Sequence, residues 1–258
     1  MLRFRNLGSG SSGNATIVEA RSGGRVTRLL VDCGLGIRQL EQRIVRAGLA
    51  IGDIDAIFVT HEHSDHIGCA RVLALRQRIP VWMSHGTHAG ARDGDFADQL
   101  RIARDGEEIC VGELSVMPFS VPHDAREPLQ LHCSDGNTRL GILTDLGHAT
   151  DHLLKHLSGC HALLLESNHD PQMLAASSYP PFLKKRVGGT HGHLSNTCAA
   201  EIAAALKHPG LSTVVAAHLS QENNRPALAQ ATLAQALGCV PDLIRVADPR
   251  TGTDWLVA

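Results

Sequence analysis

Aromatic residues make up only 3% of the 258 positions, and the formal net charge at pH 7 is just -2. So little charge excludes a structural protein that wraps nucleic acid on a broad basic surface. It leaves open an enzyme that meets phosphate locally, in one groove or through bound metal. CxxC pairs are absent. The seven cysteines, Cys33, Cys69, Cys110, Cys133, Cys160, Cys198 and Cys239, are odd in number and widely spaced. Reduced, mostly buried thiols are expected, and neither a disulfide framework nor a thiolate zinc site. No apolar run approaches the roughly 18 residues of a membrane span. The stretch from Met1 to Asn6 is too polar for a secretory leader and reads as a strand, so a cytoplasmic location with no membrane partner is expected.

What the chain does have is histidine, 16 in all, and a hydrophobic content of 43% that can bury a sizeable core. A single domain over residues 1–258 is the simplest reading. Strands are expected at Leu2 to Leu7, Ala15 to Ala20 and Val26 to Val31, and a helix from Ile37 to Ala47 with Gly48 as its stop. A buried strand from Ile54 to Val59 runs into a histidine cluster, and a helix is expected from His66 to Arg78. The middle is strand-rich, from Glu108 to Thr144. Helices capped by Thr150 and Ser195, and one from Pro226 to Leu237, alternate with buried strands ending at Glu166 and His218. Strands first, then strands mixed with helices, repeated once, suggest two sheets covered by helices: an α/β fold of the four-layer αββα sandwich type.

The polar residues that follow apolar strands carry the chemistry. His61, His63, Asp65 and His66 lie within six positions directly after a buried strand. Two imidazoles at i and i+2 converge on one ion where the backbone is extended or turning. A carboxylate and a third imidazole then face a second ion, about 3.5 Å away in two-metal hydrolases. The zincin pattern HExxH fails, because position 65 is Asp65. A two-ion site needs more than four ligands, and His123, Asp145 and His218 each follow an apolar strand, as capping residues or as members of the same site.

The sequence resembles the metallo-β-lactamase superfamily, whose HxHxDH signature stands here as His61, His63, Asp65 and His66. It resembles in particular the small YycJ-like (WalJ-like) bacterial branch, through Leu7 to Asn14, Val31 to Gly34, Thr144 to Gly147, Glu166 to Asp170, Gly192 to Asn196 and His218 to Asn224. The resemblance implies that His61, His63 and His123 hold one divalent ion, zinc or manganese, and that Asp65, His66 and His218 hold the other. It implies further that Asp145 bridges them, with a water or hydroxide between the ions as nucleophile. It also implies phosphodiester hydrolysis, with DNA digested from 5′ ends. The insertion of ribonuclease J and the cleavage/polyadenylation nucleases is lacking.

Around this core, His193 and His169 are candidates for work at the scissile phosphate, with His148 a weaker one, and Asn168 is a candidate for contacting substrate or orienting a ligand histidine. Asp32 is expected to orient a ligand histidine. The loop Gly8 to Asn14 is no Walker A loop, yet its glycines with Ser11, Ser12 and Asn14 suit an anion. Lys184, Lys185 and Arg186 form a basic run that reads either as a solvated face or as a contact to polynucleotide phosphates, with Tyr179 or Phe182 placed to stack a base. The same ligand set also serves a small-molecule phosphodiesterase, as in the accessory enzymes of carbon–phosphorus lyase, or a lactonase or thioesterase. A metal-binding regulatory protein is the alternative that does no chemistry.

Overall fold

In a computed structural model, which describes residues 1–92 and 94–258, the chain lays down two sheets in succession. The first half supplies β1 (Leu2–Gly8), β2 (Ala15–Ser22), β3 (Arg25–Val31), β4 (Ala56–Phe58), β5 (Val81–Met83) and β6 (Leu100–Ile102), with helices α1 (Ile37–Arg46), α2 (Ser64–Ile67), α3 (Ala70–Gln77) and α4 (His85–Gly90). The second half supplies β7 (Ile109–Val111), β8 (Leu114–Ser120), β9 (Leu129–Ser134), β10 (Arg139–Leu143), β11 (Ala162–Glu166), β12 (Thr213–Ala217) and β13 (Ile244–Val246). Its helices are α5 (Asp151–Leu157), α6 (Pro171–Ala176), α7 (Pro181–Val187), α8 (Asn196–Ala205) and α9 (Pro226–Leu237). A final strand, β14 (Leu256–Val257), returns to pair with β1. The sheet orders are β14-β1-β2-β3-β4-β5-β6 and β13-β12-β11-β10-β9-β8-β7. In each, an antiparallel set leads into a parallel one.

Strand alternation explains the layers. Leu29 and Val31 on β3 point into the space between the sheets, with Leu131, Ile142, Leu164 and Val215 from the other side, while Leu30 faces Leu40 and Ile44 of α1. On β11, Leu164 points inward and Leu163 and Leu165 pack under α5, α8 and α9. Strands buried on both faces become continuous apolar runs, as their sequences are. The result is the expected αββα sandwich.

The local expectations hold at α5, where Thr150 accepts from Leu153 N, and at α8, where Ser195 accepts from Cys198 N. The helix expected over residues 66–78 is corrected. It begins earlier, at Ser64, and is broken at Gly68, whose φ is +27°. A Cβ there would lie 2.4 Å from Cys33 O, and one on Gly34 would lie 1.7 Å from Asp65 O. Backbone crosses backbone at this point: Cys33 N donates to His66 O and Cys69 N to Cys33 O. Side-chain periodicity carries no trace of such a crossing. The basic run lies in the last turn of α7.

Gly68→Ala is therefore expected to lower unfolding free energy by about 2 kcal/mol or more, from forced backbone strain and overpacking. Gly36→Ala, in open space at an ordinary φ, should stay within about 1 kcal/mol of the parent. Urea midpoints of the two variants check this, and equal midpoints would contradict the crossing.

Candidate active site

The ends of six strands meet at one edge of the sandwich. Asp32 follows β3, the cluster from His61 to His66 follows β4, and His123 follows β8. Asp145 follows β10, Glu166 closes β11 and His218 follows β12. Three of these residues, Asp32, Asp145 and His218, have φ of 61°, 57° and 53°. A left-handed backbone is uncommon for residues other than glycine, and here it turns each side chain back toward the site.

Two groups of ligand-type atoms result. Those of His61, His63 and His123 lie within 4.8 Å of one another, and so do those of Asp65, His66 and His218. Asp145 stands between, its Oδ2 2.9 Å from His66 Nε2, and it also groups with His61. His61 Nε2 is 3.0 Å from His63 Nδ1, which is 3.4 Å from His123 Nε2. Imidazole nitrogens converge this way where their lone pairs share a cation.

The opposite side of each ring is tied down. His66 Nδ1 meets Asp32 Oδ2 at 2.8 Å, and Asp32 also accepts from Thr60 N and Oγ1. His61 Nδ1 meets Thr60 Oγ1, and His123 Nδ1 donates to Gly192 O. His218 Nδ1 donates to Glu166 Oε1 at 3.1 Å, which sends Nε2 into the site. That Nε2 is buried with no hydrogen-bond partner, and Asp145 Oδ2 makes only its 2.9 Å ion pair with His66 Nε2. A buried carboxylate oxygen and an open imidazole nitrogen beside converging rings fit divalent ions, and these groups have the capacity for one or two.

Electrostatics agree. Burial works against charge on every group, but neighbours of opposite sign win at several. Asp145 and Asp32 hold His66 well above the usual imidazole range, and Asp145, Asp65 and Glu166 raise His218 to about 10. His218 and His66 hold Asp145 well below the usual carboxylate range, and His193 with His218 brings Glu166 to about 2. At His61 and His123 burial prevails and pushes the imidazole down. Asp145 and Glu166 thus favour positive charge beside them.

Glu166 was not singled out as a site residue from the sequence. It is fully buried, its Oε1 receiving His193 Nδ1 at 2.8 Å as well as His218, and its Oε2 accepting from Leu146 N and Leu194 N. The signal was there: an acid ending an apolar strand, like Asp145 and His218 beyond the neighbouring strands. Asp124, beside His123, and Ser9, whose hydroxyl accepts from His218 N, were also missed.

Other expected residues are spread more widely. His193 is partly open to a cavity of about 740 Å³ that also touches Ser11, Asp65, Arg71, Tyr179 and Arg186. Asn168 donates to His218 O and so holds the backbone of that residue. His169 is buried, outside the converging groups, and His148 is at the surface, bonded to Thr190 O. Asn14 is buried, donates to Gly10 O and Asp65 O, and has Nδ2 3.0 Å from His66 Nε2, while Ser12 is exposed. On α7, Arg186 pairs with Asp124, Lys184 donates to Ala175 O, Lys185 is exposed, and Phe182 projects into solvent. All seven cysteines are free thiols, and none joins a ligand group among the described residues. No described helix is long and apolar enough to cross a membrane.

The model of a family described as "Beta-lactamase superfamily domain" matches residues 27–219. The exodeoxyribonuclease YycJ of Bacillus anthracis is 36% identical over 239 residues, covering 92% of this chain and 89% of its own. The exodeoxyribonuclease WalJ of Streptococcus pneumoniae is 30% identical over 240 residues, covering 91% and 88%. Among solved structures, the metallo-beta-lactamase fold protein YhfI from Bacillus subtilis superposes with a TM-score of 0.76 at 15% identity, over 100% of this chain and 99% of that one. The last likeness is one of fold.

Replacing Glu166→Gln should leave the fold intact while loosening His193 and His218. Metal affinity is expected to fall about 10- to 100-fold, as for other partners that orient ligand histidines. Metal titration with circular dichroism checks this, and unchanged affinity in a folded variant would contradict the role.

Proposed function

This chain belongs to the metallo-β-lactamase superfamily, close to its YycJ/WalJ-like branch, and from that membership we propose that it is a two-ion phosphodiesterase that removes nucleotides from DNA 5′ ends. It is a metal-dependent hydrolase by family and by its ligand clusters. The DNA reading is carried by one observation, the likeness along nine-tenths of the chain to two proteins named exodeoxyribonucleases. The cavity beside the cluster supports it, since Arg71, Arg92, Arg186 and Tyr179 on its walls suit phosphate and base.

The first ion is assigned to His61, His63 and His123, the second to Asp65, His66 and His218, with Asp145 between. The histidines favour zinc, and the carboxylates are compatible with manganese. When bound, such ions supply Lewis acidity and a nucleophile at neutral pH. The chain's own residues do the rest. Asp32 and Glu166 fix the ring planes of His66 and His218. His193, tethered through Nδ1 to Glu166, presents its other nitrogen to the cavity. Burial disfavours its cation, but Glu166 outweighs burial and raises its pKa. A ring so placed holds a proton for the leaving oxygen. Ser11 faces the scissile phosphate, with Ser12 beside it in the same loop, and Asn14 keeps that loop in place. Asn168 steadies His218 through its backbone carbonyl, and His169 ties its strand end to the Leu194–Asn196 segment. Lys184, Lys185 and Arg186 receive the flanking strand.

Purified protein loaded with zinc or manganese should release nucleotides from 5′-labelled DNA. A preference for RNA or for a cyclic or small diester would overturn the DNA reading while leaving the hydrolase intact. Asp65→Asn and Asp145→Asn should abolish turnover with the fold retained, and near-normal turnover at matched metal content would contradict the assignment. His193→Ala should chiefly lower kcat. Neutralising Lys184, Lys185 and Arg186 should chiefly raise KM for long DNA and flatten its salt dependence, each lost phosphate contact lowering the log–log slope by about 1. Equal losses on long DNA and on a dinucleotide, with a lowered thermal midpoint, would instead mark both segments as merely structural.

A further inference from the structure

Outside the catalytic cluster, three more ligand-type side chains meet on the outer face of the second sheet. Asp105 comes from the turn between β6 and β7. His152 and His156 lie four positions apart on α5 and so project from one face of the helix. The ligand atoms of all three lie within 4.8 Å of one another. Asp105 Oδ1 is 2.9 Å from His152 Nε2, and the two imidazole centroids are 4.6 Å apart, edge to face. Around a tetrahedral zinc ion, with bonds of about 2.0–2.1 Å, neighbouring ligand atoms are about 3.3 Å apart. Asp105 and His152 are thus within a few tenths of an ångström of that arrangement. The same close approach joins His66 to Asp145 and His61 to His63 in the catalytic cluster.

Two of the three side chains, Asp105 and His156, are also held from behind. Asp105 Oδ1 accepts from Ser120 N, the last residue of β8. The ring of His156 stacks on buried Phe119, with centroids 5.2 Å apart and planes 15° from parallel. A partly exposed trio fixed in this way resembles a prepared coordination half-shell more than freely rotating surface groups. Two imidazoles and a carboxylate suit a borderline transition metal, whereas calcium and magnesium prefer all-oxygen sites.

We propose that Asp105, His152 and His156 form an additional metal site, separate from the catalytic cluster, that takes one divalent cation of the zinc class with water completing its coordination. The ion clamps the 105 turn, the end of β8 and α5 together. Three residues beyond Ser120, the chain reaches His123, so the clamp steadies the strand that delivers a catalytic histidine. The site therefore contributes stability and holds the β8 terminus in place.

Zinc equivalents bound per chain, measured by equilibrium dialysis and elemental analysis at micromolar free zinc, test this for the parent and for His152→Ala/His156→Ala. The double variant should bind one equivalent fewer, whatever number the catalytic cluster holds. Cobalt(II) in place of zinc should show one visible absorption component in the parent that the variant lacks. Asp105→Asn, a surface change that leaves the helix alone, should weaken the same equivalent at least tenfold. It carries the test should the double variant unfold. Equal zinc equivalents and identical cobalt spectra in parent and variants would overturn the site, as would displacement of that equivalent by magnesium at comparable concentration.

Discussion

Four carboxylates, Asp32, Asp65, Asp145 and Glu166, and five imidazoles, His61, His63, His66, His123 and His218, are gathered in one largely buried pocket, and their charge must be balanced. An unpaired ion in an apolar interior costs several kcal/mol after relaxation, so such a gathering persists only where each charge has partners. Neither sheet supplies the whole set. The first delivers Asp32 and the run from His61 to His66, and the second delivers His123, Asp145, Glu166 and His218. Packing between Val31, Ile142, Leu164 and Val215 therefore sets the spacing of the polar atoms as well as the stability of the sandwich. The helices seal the outer faces and leave the strand ends free for the site.

The site also stores strain. Asp32, Asp145 and His218 leave their strands through left-handed backbone, at about 1–3 kcal/mol each for residues other than glycine. The hydrogen bonds around them hold that geometry: Asp32 N donates to Phe58 O, Leu146 N to Glu166, and His218 N to Ser9 Oγ. Glycine would relieve the strain but remove the side chain, so the chain tolerates the strain where the site requires a carboxylate or an imidazole. The same economy shows at Gly68 and Gly34, where side chains are excluded so that two backbones cross beneath His66.

How much of this was legible in the sequence depended on range. The HxHxDH cluster is local, and so are the apolar strands that flank it and the caps at Thr150 and Ser195. All of these could be read from neighbouring residues. The sandwich itself was legible because its strand and helix order repeats. What lay outside reach was contact between distant segments. The break at Gly68 answers to Cys33, and the buried role of Glu166 answers to His193 and His218, 27 and 52 positions away. The short α4, α6 and α7 and strands β6 and β14 carry too few residues for a period to emerge. Arg186 could be seen as basic, but its pairing with Asp124 lies 62 positions away.

On the proposed reading, the pocket holds two cations shared by both sheets. Anomalous diffraction from crystals of the metal-loaded protein tests it most directly. Two peaks about 3.5 Å apart are predicted, one among His61, His63 and His123 and the other among Asp65, His66 and His218, with Asp145 touching both. A single peak at full metal loading, or density remote from His218, would contradict the account.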